Sequence, residues 1–207
     1  MYLCIVILID DHIQDYSPGQ IARWLDELPE WRRKQALAYK HDAGRRQCLL
    51  AYRLLCQGLR EKYGITILPT FRYGEHGKPY LERGPHFSLS HCRGAVCCAI
   101  SDRPVGIDIE APDRHITDSL VRYTMTEEEM CQILQSPRTA PLRAGDSPRM
   151  GLEEGRAFLR LWTRKEAVAK LLGTGISDDF RNILSQGDYH IETRTSDRWV
   201  MSVARHR

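Results

Sequence analysis

The chain has 207 residues, 42% of them hydrophobic and 28% charged, and its formal net charge is +3. That composition fits a soluble globular protein, either one large domain or two of about 100 residues, with a core that needs no staples. It excludes a membrane-spanning class, since no apolar run approaches the roughly eighteen residues of a span, and the small net charge says little about nucleic acid.

Residues 1–9 are almost wholly apolar, lack a basic flank and run into Asp10-Asp11, which predicts a buried strand rather than a secretory leader. Seven cysteines, none in a CxxC pair, fit neither a zinc framework nor a secreted disulfide scaffold. Reduced thiols and a cytoplasmic location are the expectation. Ser17-Pro18-Gly19 opens a helical stretch through Leu28, and a second segment, 30–40, carries Trp31-Arg32-Arg33-Lys34. Asp42 is placed to cap a long helix with Leu49, Leu50, Leu54, Leu55 and Leu59 at helical spacing and Gly64 at its end. Arg45 and Arg46 fall in the first turn of that helix, where the macrodipole disfavours cations and a bound anion would relieve the conflict. A solvated basic face accounts for them equally well. Arg32 and Arg33 are read as solvated.

Short strands follow. Phe71-Arg72-Tyr73 and Lys78-Pro79-Tyr80-Leu81 flank the turn Gly74-Glu75-His76-Gly77, and residues 86–91 and 95–101 alternate. Adjacent Cys97 and Cys98 then face opposite ways. In Pro104-Val105-Gly106-Ile107-Asp108-Ile109-Glu110, the apolar residues point one way and Gly106, Asp108 and Glu110 the other. Side chains two apart on one face lie roughly 6.5–7 Å from each other. Two carboxylates so placed, beside a glycine that leaves room, look like half of a magnesium site. A half-buried strand with its polar face in water fits the same heptapeptide. Residues 113–134 are predicted to be helical in two pieces, with Thr126-Glu127-Glu128-Glu129 a capping box for the second. Residues 136–155, rich in Pro, Gly and Arg, are expected to form a flexible loop. A second long helix, 156–172, closes at Gly173, and residues 189–193 and 199–204 form a final hairpin. On that helix Trp162, Glu166 and Lys170 are four apart and share a face, either as a surface Glu–Lys pair beside a core aromatic or as a site wall.

Gly77-Lys78-Pro79, Phe87-Ser88-Leu89-Ser90-His91, Gly106-Ile107-Asp108-Ile109-Glu110 and Trp162-Thr163-Arg164-Lys165-Glu166-Ala167 with Lys170 stand in the order found in 4′-phosphopantetheinyl transferases. The chain resembles the long, Sfp-type branch of that family over roughly residues 30–175. The resemblance implies an α+β fold of two similar half-domains related by a pseudo-twofold, residues 1–103 and 104–207, each a small antiparallel sheet packed on a long helix. It implies transfer of the phosphopantetheine arm of coenzyme A to a serine of an apo acyl or peptidyl carrier protein, with release of 3′,5′-ADP. By the same resemblance a divalent ion, Mg²⁺ or in its place Mn²⁺, is held by Asp108, Glu110 and Glu166. Glu166 could also act as the base, directly or through a metal-bound water, with Asp108 and Lys170 beside it and Lys170 supporting the developing charge; the sequence leaves the identity of the base open. Lys34, Arg45, Arg46, Lys78, Pro79, Ser90 and His91 would bind coenzyme A. The family often has a serine where this chain has Cys92, and a small residue where it has Arg46, which leaves open whether Arg45 or Arg46 meets the 3′-phosphate. A monomer is expected, with no nucleic-acid or membrane partner. Two other functions use part of the same residue set: a metal-dependent phosphohydrolase acting on a nucleotide, and a non-catalytic basic binding module.

Overall fold

The computed structural model describes residues 5–134, 151–176 and 178–207. Two antiparallel three-stranded sheets carry the architecture. The first has the order β1 (Val6–Asp10), β5 (Val96–Ser101), β4 (His86–His91), and the second the order β6 (Gly106–Glu110), β8 (Val200–His206), β7 (Tyr189–Thr195). A two-stranded hairpin, β2 (Arg72–Tyr73) with β3 (Pro79–Tyr80), stands apart from both. The helices are α1 (Pro18–Asp26), α2 (Glu30–Leu37), α3 (Asp42–Tyr63), α4 (Asp118–Thr124), α5 (Glu127–Leu134) and α6 (Leu152–Leu172), with a 3-10 helix at Asp178–Ser185. The result is an α+β fold, and no described helix is long and apolar enough to cross a membrane.

The period-2 pattern of the strands decides the layers. Cys98 and Ile100 of β5 face α3, together with Leu49, Tyr52, Leu55 and Leu59, while Cys97 and Ala99 face the other way. That other face meets Ile107 and Ile109 of β6 and Met201 and Val203 of β8. The layers therefore run α3, first sheet, second sheet, α6, with the last helix packed by Phe158, Leu159, Trp162 and Val168. Each fully buried leucine of α3 contributes about 1.5–3 kcal/mol by leaving water. Both long helices stop at a glycine in the left-handed region, Gly64 at φ 64° and Gly173 at φ 75°. A side chain would be strained at either position.

Several boundaries differ from the sequence reading. Asp42 lies inside the first turn of α3, and His41 occupies the cap without a side-chain hydrogen bond. The first of the two predicted helical pieces starts at Asp118, five residues late, because Thr117 caps it by accepting from Leu120 N–H. The Thr126–Glu129 capping box forms as expected, at 2.8 and 3.2 Å. Helix α6 begins at Leu152, where Glu154 reaches back to the Gly151 N–H at 2.9 Å, so residues 152–155 belong to the helix. Residues 136–150 of the expected loop, and 1–4 of the first strand, lie outside the described residues. Strand β1 is half-buried rather than buried. The 3-10 helix has no counterpart in the sequence reading. It packs Phe180 and Ile183 under α6.

Lys165 ties this part together. Its side chain is fully buried, and its Nζ meets Glu129 at 2.7 Å, donates to the Thr124 carbonyl at 2.8 Å and also to the Arg181 carbonyl. One ammonium thus holds α4, α5 and the 3-10 helix against α6. Burial lowers its pKa, and Glu129 partly restores it. Replacing Lys165 with Met keeps the length but leaves a carboxylate and two carbonyls without their donor. The expected loss is about 3–5 kcal/mol, since breaking a buried pair strands the remaining charge. Urea unfolding of Lys165→Met against the parent measures it.

Candidate active site

Strand β6 and helix α6 meet closely enough to place side chains of one directly on the other. Gly106 permits this: a β-carbon there would stand 1.9 Å from the Ala167 carbonyl oxygen and 2.5 Å from the Leu171 nitrogen. The sequence reading gave this glycine to a cation, but the space it leaves is filled by helix backbone. Two residues along the strand, Asp108 Oδ1 accepts from Lys170 Nζ and from Ser90 Oγ, at 2.7 and 2.8 Å. Asp108 is only 4% exposed, and its Oδ2 is buried with no hydrogen-bond partner. At the end of the strand, Glu110 Oε1 accepts from Trp162 Nε1 at 2.9 Å and is ion-paired with Arg114, whose guanidinium lies 4.5 Å over the Trp162 ring.

Trp162, Glu166 and Lys170 do share the face of α6 that meets β6. Trp162 and Lys170 each bond a carboxylate of the strand, whereas Glu166 between them makes no hydrogen bond or ion pair among the described residues. Burial raises the Glu166 pKa, and the neighbouring Asp108 raises it further against the pull of Lys170 and Arg114. For Lys170 burial acts downward, but Asp108 and Glu166 outweigh it and its pKa is raised. The lysine stays charged, and the glutamate resists charging.

The two sheets are joined here by side chains. Strand β6 is an edge of its sheet, and the outward N–H groups of Ile107 and Ile109 donate to Ser88 Oγ at 3.1 Å and to Ser90 Oγ at 3.4 Å. Lys170 Nζ also donates to Ser90 Oγ, at 2.7 Å. Ser90, expected on coenzyme A, is placed where it fixes the strand, Asp108 and Lys170 relative to one another.

A cleft of about 220 Å³ lies alongside, lined by His76, Lys78 and Pro79 on one wall and by Glu166, Lys170 and Gly173 on the other. Lys78 Nζ donates to the Leu171 carbonyl at 3.2 Å and to the Val105 carbonyl at 3.4 Å. A cation on the last carbonyls of α6 suits the helix dipole, and burial lowers its pKa. His91 opens to solvent at the end of β4. The surrounding protein lowers its pKa, Lys170 and Arg32 act in the same direction, and Asp108 opposes them. The imidazole is therefore neutral at pH 7.

The basic residues of α2 and α3 separate into structural and free. Arg32, expected to be solvated, is 6% exposed: it donates to Gln35 at 2.6 Å and to the Cys48 carbonyl at 2.7 Å, under Tyr52 and Phe71. The solvated reading holds for Arg33, paired with Asp26 at the surface. Arg46 is spent on the Ile13 and Tyr16 carbonyls at 2.9 and 2.8 Å, which pins the loop after β1. Arg45 bonds the Tyr39 carbonyl and Asp42 and stays partly exposed. Gln47, one turn into α3, donates to the Cys92 carbonyl at 2.7 Å, so the start of α3 lies against the end of β4 near His91. Lys34 is exposed and pairs with Glu30 at 2.6 Å. Lys34, Arg45, Arg46 and His91 do not line the cleft.

Arg114 is the site residue that sequence reasoning missed. It stands in an irregular stretch after β6, four residues from Glu110, where helical i,i+4 logic gives no signal. Among the described residues, no group of three His, Cys, Asp or Glu side chains stands together as a metal cage. Asp108, with its unpartnered oxygen, and the uncompensated Glu166 fit a hard cation. Glu110 is engaged by Arg114 and Trp162. What the arrangement can do chemically is hold a polyanion's charge beside a carboxylate that accepts protons readily.

The family model described as the 4′-phosphopantetheinyl transferase superfamily matches residues 104–202. The chain is 33% identical over 133 residues to the 4′-phosphopantetheinyl transferase gsp of Aneurinibacillus migulanus, covering 61% of this chain and 50% of that protein. It is 25% identical over 187 residues to a 4′-phosphopantetheinyl transferase of Bacillus subtilis, covering 87% and 77%. It is 25% identical over 164 residues to the 4′-phosphopantetheinyl transferase Sfp of Bacillus subtilis strain 168, covering 78% and 67%. The chain thus spans half the length of the first of these relatives and between two thirds and about three quarters of the other two.

Proposed function

We propose that the chain is a member of the 4′-phosphopantetheinyl transferase superfamily, whose model matches residues 104–202, and that it transfers the phosphopantetheine arm of coenzyme A to the serine of an apo acyl or peptidyl carrier protein. The observation that carries this reading is Asp108, with one buried oxygen unpartnered, beside the desolvated Glu166, which shares a wall of the cleft with Lys170 and faces Lys78 on the other.

In this reading the carrier serine displaces 3′,5′-ADP at the β-phosphorus, and the protein's task is to align the two and to neutralise charge. Glu166 takes the serine proton. Burial and the neighbouring Asp108 raise its pKa, which makes it a stronger base than an ordinary glutamate. Lys170, fixed by Asp108 and Ser90, holds positive charge against the pyrophosphate. Arg45 meets the 3′-phosphate in preference to Arg46, because Arg46 is committed to two backbone carbonyls. Neutral His91 offers a hydrogen bond to the nucleotide rather than a charge. Asp108 and Glu166 would hold a magnesium ion, which when bound polarises the pyrophosphate. The layers built on α3 and on α6 are the two half-domains, and the cleft between them receives coenzyme A. The protein acts in the cytoplasm, as a monomer.

The test is the intact mass of an apo carrier protein incubated with the chain, coenzyme A and Mg²⁺, with an EDTA control. The expected result is a gain of one phosphopantetheine arm that EDTA prevents. No gain on several carriers, together with no coenzyme A binding by calorimetry, overturns the proposal.

A further inference from the structure

Glu110 is engaged through one of its two carboxylate oxygens. Its Oε1 receives the Trp162 indole N–H at 2.9 Å and the Arg114 guanidinium, and Arg114 lies 4.5 Å above the same indole ring. The Glu110 and Arg114 side chains are 18% and 28% exposed, so this is not a screened surface pair of negligible value. Stacking on the indole and a charge-assisted contact to one oxygen make the arginine a well-matched partner for this carboxylate. A guanidinium cannot shed its proton in a protein. Its charge leaves the cluster only if the side chain moves.

We propose that Arg114 is a built-in counter-ion of Glu110, so that a divalent cation binds this carboxylate only in competition with the guanidinium. The inference rests on the metal reading of the proposed function and adds to it a competitor supplied by the chain itself. Arg114 is tethered four residues from Glu110, on a turn closed by its own N–H to the Ala111 carbonyl at 3.1 Å. Its effective concentration at Glu110 is therefore in the millimolar range or above, as for any short tether. A cation from solution binds against that competition. Asp108 carries a cation of its own, Lys170 on Oδ1, and keeps its Oδ2 unpartnered, while Glu166 has no ion-pair partner among the described residues.

The experiment is a titration of the metal-free chain with Mn²⁺, with free ion counted by electron paramagnetic resonance, for the parent, Arg114→Met, Arg114→Lys and Asp108→Asn. The expected result is weak binding by the parent and at least about tenfold tighter binding by Arg114→Met, the size of effect that links two sites through 1–3 kcal/mol. Arg114→Lys, which keeps the charge but loses the stacking, falls between them, and Asp108→Asn binds worst. In EDTA, Arg114→Met melts below the parent, and saturating Mn²⁺ raises its melting temperature by more than it raises the parent's. Equal or weaker Mn²⁺ binding by Arg114→Met overturns the proposal while leaving the metal reading intact, provided Asp108→Asn has lost binding. Parent-like binding by Asp108→Asn overturns both. Should Arg114→Met be unfolded in EDTA, Mn²⁺ must refold it, and failure to do so counts as refutation.

Discussion

Gly106→Ala is expected to lower the melting temperature by about 6–12 °C or to prevent accumulation of folded protein. The added methyl would sit 1.9 Å from the Ala167 carbonyl oxygen and 3.0 Å from its carbon. These are backbone atoms of a helix packed on its other faces by Phe158, Leu159 and Phe180, and no side chain can rotate away to make room. Overpacking ordinarily costs about 1–3 kcal/mol, and a clash with rigid backbone belongs at or above the top of that range. For a chain of this size each kcal/mol corresponds to about 2–4 °C. The same displacement lifts Glu166 and Lys170 from β6, so the proposed carrier modification is expected to fail as well. Gly19→Ala is the matched control, since nothing lies within 4 Å of that position in α1. Thermal melts of both variants decide the matter, and a Gly106→Ala protein as stable as Gly19→Ala would refute the close-packing account.

Glu166→Gln should act in opposite directions on function and stability. On the proposed role of Glu166 as proton acceptor, its loss is expected to cost about 10²–10⁴-fold in transfer rate, read as the initial rate of mass gain on a carrier protein. In the metal-free chain the same change stabilises. Burial and Asp108 raise the Glu166 pKa above its unfolded value, so the folded state retains a proton that the unfolded state gives up. Stability of the parent is therefore fullest below the unfolded glutamate pKa and declines as pH rises toward the folded value. The neutral amide avoids that decline. In EDTA, Glu166→Gln should melt above the parent at pH 7.5, and the difference should shrink on acidification toward pH 4. A lower melting temperature for the variant at pH 7.5 would mean that Glu166 supports the fold rather than straining it. A site that destabilises its own fold is a common signature of function.

Much of this was legible from residue order. The alternation of 104–110 placed Asp108 and Glu110 on one face, and four-residue spacing placed Trp162, Glu166 and Lys170 together; the structure brings those two faces into contact. What stayed hidden depends on tertiary placement. Arg32 looked solvated because α2 is polar over most of its length, and only the fold puts Tyr52 and Phe71 over that guanidinium. Arg46 looked like an anion ligand because its position in the helix suited one, yet a loop thirty residues upstream supplies two carbonyls. Gly106 was noticed for the right property and assigned to the wrong neighbour. Lys165 sits inside a recognisable motif, but its partners come from α4, α5 and the 3-10 helix, none of which its own spacing reveals.

The serine junction between the sheets also shields a strand edge. A strand edge with free amides is a template onto which a strand of another molecule can add. Strand β6 is such an edge, and its sequence alternates apolar and polar residues in a way that invites pairing. Here two hydroxyls from the neighbouring sheet occupy the Ile107 and Ile109 amides, and the edge offers nothing to a foreign strand. Protection of this kind lasts only while the two sheets stay together. A piece of the chain cut between β5 and β6 would carry that edge uncovered, and polymerisation rather than simple unfolding is the fate such a fragment faces.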